Sequence, residues 1–77
     1  MQSCILIRVL PGKAAEVLEA VKKFPGIKSA YFVFGRYDIV AFAEASTYEA
    51  LSALTTKVNA IPGIKSTESL IEVAEQR

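Results

Sequence analysis

The chain has no histidine, no tryptophan and one cysteine among its 77 residues. Without imidazole there is no Ser-His-Asp relay, no proton shuttle near neutral pH and no His-ligated metal. A lone Cys4 forms neither an intrachain disulfide nor a zinc cluster, and its place in an apolar run reads as a packed thiol. No apolar stretch approaches the ~20 residues that cross a bilayer. The N-terminus lacks the charged-then-apolar order of a secretory leader, so a cytoplasmic, membrane-free protein is expected. Nine Lys and Arg stand against eight Asp and Glu, a net charge of +1. Cations this few and scattered do not make a surface for nucleic acid. Neither a phosphate-cradling loop nor a dinucleotide fingerprint occurs. Glu16 and Glu19, with lysines beside them, read as a solvated helix face rather than a metal site. No cofactor and no metal are expected, and nothing marks a catalytic constellation.

Apolar residues, by contrast, are plentiful: 52% of the chain is hydrophobic and 22% charged. The length suits one domain, residues 1–77, which buries only ~60% of the surface its unfolded chain exposes. Surplus apolar surface in so small a domain points to self-association. Phe24–Ser29 reads FPGIKS, and Ile61–Ser66 repeats it as IPGIKS, 37 residues later. Two similar halves are implied.

Ser3–Leu10 is aliphatic and β-branched and stops at Pro11-Gly12, a strand. Ile5, Ile7 and Val9 share one face; Cys4, Leu6, Arg8 and Leu10 share the other. Across Gly12–Phe24 the period becomes helical, with Ala14, Val17, Leu18, Val21 and Phe24 on one stripe, and Pro25-Gly26 ends it. Ile27–Phe34 is a second strand, Gly35–Tyr37 a tight hairpin connection, and Asp38–Ala45 a third strand. Ser46–Ile61 is a second helix, with Ser46 and Glu49 at capping-box spacing and Tyr48, Leu51, Leu54, Val58 and Ile61 on its stripe. Pro62-Gly63 closes it, and Ile64–Glu75 is a final, more polar edge strand. Strand–helix–strand twice over is the α+β ferredoxin-like βαββαβ plait: a four-stranded antiparallel sheet in order 4-1-3-2 with both helices on one face. Its bare face would carry an apolar patch, which a second identical chain covers symmetrically, as in dimeric α/β barrels.

Two polar clusters remain. Gly35, Arg36, Tyr37 and Asp38 put a glycine, a cation, a phenol and a carboxylate into one hairpin. A structural turn accounts for them: Gly35 supplies a positive φ, Asp38 bonds turn amides and Tyr37 packs its ring. Thr67 and Ser69 alternate onto one face, hydroxyls about 7 Å apart, an ordinary edge ladder. Glu68 points the other way, solvated or paired with a lysine.

VLPGK after the first strand, FPGIKSAYFVFGRYDI and IPGIKSTESLI together resemble the effector-binding (RAM) domain of the leucine-responsive regulatory protein (Lrp/AsnC) family, across Ser3 to Val73. The family's G-x-Y-D hairpin is matched by Gly35, Tyr37 and Asp38. Its T-x-T appears as Thr67-Glu68-Ser69, where serine keeps the hydroxyl and loses the methyl. The resemblance implies that free amino acids or related small effectors bind between neighbouring dimers. Asp38 would accept the ammonium, and amides near Gly35 with the Thr67 and Ser69 hydroxyls would hold the carboxylate. Arg36, at the motif's variable position, is a further candidate. It implies homodimers assembling into a ring, and co-assembly with full-length family regulators. The chain starts directly on its first strand, so a stand-alone module without a helix-turn-helix is expected, tuning transcription without touching DNA. Two other readings stay open: a dimeric α/β-barrel enzyme with Arg8 and Tyr31 lining a cleft, and an oligomerisation module without ligand.

Overall fold

The computed structural model describes residues 1–71. Alternation decides which face of each strand is buried. In β1 (Gln2–Val9) Ile5 and Ile7 are inaccessible to solvent, and in β3 (Ile39–Glu44) so are Ile39 and Ala41. Helix α1 (Ala14–Lys22) lays Val17, Leu18 and Val21 onto this face, and α2 (Tyr48–Asn59) adds Leu51, Leu54 and Val58. Ala41 and Ala43 in the middle strand keep the floor low enough for branched side chains from above,. With β2 (Ile27–Phe32) and β4 (Ile64–Ile71) at the edges, the sheet order is β2-β3-β1-β4, every neighbouring pair antiparallel. This is the ferredoxin-like plait with the expected strand order.

The repeated hexapeptide acquires a packing reason. Each Pro-Gly corner follows one helix and meets the other. A Cβ on Gly26, after α1, would lie 3.0 Å from Leu54 Cδ2 in α2; one on Gly63, after α2, would lie 3.0 Å from Lys13 Cβ and 3.1 Å from Val17 Cγ2 in α1. Both glycines have φ near +100°, a region L side chains resist. Both corner carbonyls accept a strand-end amide at 2.8 Å, Gly26 from Glu44 and Gly63 from Leu10. The same hexapeptide thus ties each half to the other.

Some boundaries differ from the sequence reading. The first helix begins at Ala14 rather than Gly12, because Pro11-Gly12 forms a turn closed by Lys13 N–H donating to Leu10 O at 3.1 Å. The second is capped by Thr47, not Ser46: the Thr47 hydroxyl accepts from Ala50 N at 3.1 Å. A cap at 47 puts alanine, not Glu49, at the box position, so no capping box forms. Tyr48, at the helix start, is 54% exposed and leaves the core stripe. β2 ends at Phe32, and the link to β3 runs through residues 33–38. Val33 N–H still donates to Asp38 O, but the Asp38 amide turns to Ile7 O at 2.8 Å, drawing the chain toward β1. The proposed extension of the last strand to Glu75 lies outside the described residues.

The other sheet face is open. Leu6 and Val40 are half-buried there, while Tyr31, Phe42 and Leu70 are 42–54% exposed. Tyr31 and Phe42 meet edge-to-face at 6.4 Å.

Candidate functional site

The hairpin between β2 and β3 is fastened by its last two polar residues, Tyr37 and Asp38. Asp38 Oδ2 accepts from Val9 N at 2.9 Å. That amide sits where the β1–β4 register slips between Arg8 and Val9, so the ladder alone does not satisfy it,. The carboxylate supplies the missing acceptor. Tyr37 reaches over the sheet end, and its phenol donates to Glu68 Oε1 on β4 at 2.5 Å. This bond raises the Tyr37 pKa above its usual value, with desolvation and the Glu68 charge adding to the effect and Arg36 and Arg8 opposing it. Gly35, φ +113°, turns the chain with open space around it, and Arg36 projects to solvent.

The predicted hydroxyl pair lies elsewhere. Thr67 stands across from Ile7 and Ser69 across from Ile5, both core residues. Their side chains therefore belong to the helix-covered face. The Thr67 hydroxyl donates to Asn59 Oδ1 at the end of α2. Among the described residues Ser69 Oγ is buried without a hydrogen-bond partner, as is Ser3 Oγ. Gly35, Arg36, Tyr37 and Asp38 thus gather at one end of the sheet, while Thr67 and Ser69 sit beneath α2. Within one chain the six residues form no single cavity.

Glu68 is exposed, as the sequence reading allowed, and joins the site in a further role: its Oε1 accepts from the Tyr37 phenol. The signal was its position between Thr67 and Ser69, which strand alternation puts on the opposite, open face. Arg8 joins it too. It is exposed on that face, across from Ser66 and one diagonal step from Glu68, and the neighbouring Val9 amide is the one Asp38 holds. Two cations and the Glu68 carboxylate therefore act on one phenol, and the Asp38 carboxylate is held at the neighbouring Val9 amide, an arrangement suited to a small ligand bearing both charges.

A hollow of about 500 Å³ lies at the far end of the open face. Cys4, Phe42 and Leu70 line it, with the Lys28–Glu44 ion pair, 3.6 Å, at its edge. None of the hairpin residues lines it. Among the described residues no group of three or more Asp, Glu, Cys or His side chains is placed to hold a metal ion, and no helix is long and apolar enough to cross a membrane.

Comparison with known proteins identifies relatives of the chain. The model of the Lrp/AsnC ligand binding domain matches residues 2–75. The HTH-type transcriptional regulator FL11 of Pyrococcus abyssi is 34% identical over 71 residues, covering 92% of this chain and 47% of that protein. The chain spans about half the length of the curated relatives it matches. Among solved structures, hypothetical protein PHS023 from Pyrococcus horikoshii is 33% identical, with 96% of this chain and 90% of that one covered at a TM-score of 0.86. E. coli AsnC is 25% identical, covering 96% of this chain and 51% of that one at 0.84. The fold also recurs, at 22% identity and a TM-score of 0.81, in the transcriptional regulator NMB0573/L-Met complex from Neisseria meningitidis, over 99% of this chain and 51% of that one.

Proposed function

As this chain belongs to the Lrp/AsnC ligand-binding domain family, we propose that it is a sensor of a free amino acid. It takes the ligand at its Gly35–Asp38 hairpin and passes the signal on through assembly. The family match over nearly the whole chain carries the reading, and the charges around the hairpin support it. Asp38 uses Oδ2 for the Val9 amide, leaving Oδ1 for an ammonium; Gly35 and Arg36 present donors to a carboxylate. The fold shared with an L-Met complex supports an amino acid as the class of effector. Thr67 and Ser69 face the helix side; the Thr67 contribution comes from the end of β4 beside α2, where a neighbouring dimer approaches, and Ser69, its hydroxyl buried, lies behind it.

The open face, with Leu6, Tyr31, Val40, Phe42 and Leu70, supports a homodimer built sheet against sheet,. Dimers then meet near the hairpins, and a ligand held between two dimers stabilises whichever ring creates its pocket. The near-neutral charge supports a module that acts on transcription through partners, including longer regulators of the family, and leaves DNA contact to them. Calorimetry against the twenty amino acids, paired with sedimentation, tests this. The expected result is heat from one or a few of them at micromolar to millimolar concentration, with a shift in assembly. No heat from any at millimolar concentration overturns it.

The open-face hollow favours a second reading, a ligand enclosed within one dimer as in α/β-barrel enzymes. Phe42→Ala would then alter binding, whereas the first reading predicts that Asp38 variants do so and Phe42 variants act on the dimer.

A further inference from the structure

Arg8 lacks a carboxylate partner among the described residues, where the ion pairs are Lys13–Glu16 and Lys28–Glu44. A carboxylate is nevertheless close. Leu6 faces Glu68 and Arg8 faces Ser66 across the β1–β4 ladder, so Arg8 and Glu68 are diagonal neighbours on one face, within reach for long side chains. A guanidinium and a carboxylate so placed ordinarily pair, since the charge-assisted bond is stronger than one to a neutral donor. Here Glu68 Oε1 accepts from the Tyr37 phenol, and among the described residues Arg8 and Glu68 form no ion pair. Tyr37 comes from the hairpin that Asp38 fastens to Val9, the residue next to Arg8. The hairpin therefore does two things at once: it sets Asp38 beside the β1 end and turns Glu68 Oε1 to the phenol.

We infer that Arg8 is a carboxylate-binding residue of the effector site, and that the Tyr37–Glu68 bond keeps Glu68 from neutralising it. The inference rests on the amino-acid reading above and adds to it Arg8 as a side chain that meets the carboxylate. The ammonium lies toward Asp38 and the α-carboxylate toward Arg8, with Arg36 as the outer cation. The Arg8 charge is felt at the Tyr37 phenol, where it opposes the rise in pKa, which agrees with the two groups sharing one locality.

This arrangement makes a prediction that a merely structural role does not. Arg8→Gln lowers affinity for the responsive amino acid about tenfold to hundredfold and erases the preference for the free acid over its carboxamide. Tyr37→Phe releases Glu68 to pair with Arg8 and lowers affinity about tenfold. Adding Glu68→Gln to Tyr37→Phe removes that competing charge and restores affinity to within about threefold of the unaltered protein. Circular dichroism and sedimentation of each variant check fold and assembly. If Arg8→Gln dissociates the dimer and leaves ligand affinity unchanged, the carboxylate that Arg8 meets belongs to a second copy, and the inference is overturned. Failure of Glu68→Gln to rescue Tyr37→Phe overturns it as well.

A separate arm uses acetate as the probe and the Arg8 Nε–H resonance as the readout. Acetate should shift that resonance in the unaltered protein, much less in Tyr37→Phe, and again in the double variant. No response to acetate overturns the subsite. An acetate response with no amino acid bound overturns the amino-acid reading alone.

Discussion

Asp38 carries two tasks that asparagine and alanine separate. Its Oδ2 is the acceptor for Val9 N at 2.9 Å, at the register slip where no strand carbonyl serves. Alanine leaves that amide without a protein acceptor, which costs about 1–3 kcal/mol for a buried donor. Val9 is only half-buried, so water takes up part of the loss and the lower end, about 1–2 kcal/mol, is expected. Asparagine keeps a carbonyl oxygen at the same place and loses only the charge-assisted part of the bond, about 1 kcal/mol or less. Ligand binding follows a different order. Both substitutions remove the negative charge facing an ammonium, so both lower affinity by about tenfold or more. The assays are urea unfolding at one fixed protein concentration, because assembly adds to apparent stability, and calorimetry with the responsive amino acid. Asparagine should be nearly as stable as the unaltered protein yet bind poorly. Alanine as stable as the unaltered protein would refute the structural role; full binding by asparagine would refute the ammonium contact.

Three further outcomes follow from the geometry. Gly63→Ala should cost about 1–3 kcal/mol more than Gly12→Ala: both sites demand a positive φ, but only at Gly63 does a Cβ press on Lys13 and Val17,. Equal losses in urea unfolding would show that the corner is not closely packed. Thr47→Ala should cost about 1 kcal/mol and Ser46→Ala close to nothing, since the Thr47 hydroxyl holds the Ala50 amide,; the reverse order would restore the capping box. The folded-state pKa of Tyr37 is raised, first by its bond to Glu68. The stability contributed by that bond is fully present below the unfolded phenol value of about 10 and is lost as pH rises through the higher folded value. Absorbance titration should show a late-ionising tyrosine that returns toward the ordinary range in Glu68→Ala; an unchanged midpoint in that variant would contradict the contact.

The two halves of this molecule differ in how readable they are. Periods of two and of three to four grouped Ile5, Ile7, Ile39, Ala41, Val17, Leu18, Val21, Leu51, Leu54 and Val58 onto shared faces, and all are buried, while Val9, Ala14, Phe24 and Ile61 from the same groups are half-buried and Tyr48 is exposed. Pro11, Pro25 and Pro62, each followed by glycine, marked element ends to within a few residues. Where boundaries moved, a single hydrogen bond moved them: Lys13 to Leu10, Ala50 to Thr47, Asp38 to Ile7. Such bonds turn on local geometry that residue type leaves undetermined: by type Ser46 is the better cap, yet Thr47 takes the position,. The reason for the repeated corner was hidden for a related cause. That Gly26 meets Leu54 and Gly63 meets Val17 is a contact between halves, and a linear repeat shows only that the halves are alike.

The order of apolar and polar residues, by itself, determined the plait, its strand order and the open apolar face, because burying one stripe of each helix on one face of each strand admits few arrangements of so short a chain. What lies beside what at the hairpin was decided by tertiary structure alone. Tyr37 and Glu68 are 31 residues apart in the chain, and Val9 and Asp38 are 29 apart. Only the slip in register at Arg8 and the antiparallel docking of β1 between β3 and β4 bring these groups together. The same pairing carries Thr67 and Ser69 to the opposite face. Charge and hydroxyl content are properties of residues; a binding geometry belongs to the distances between them, which exist once the sheet has formed.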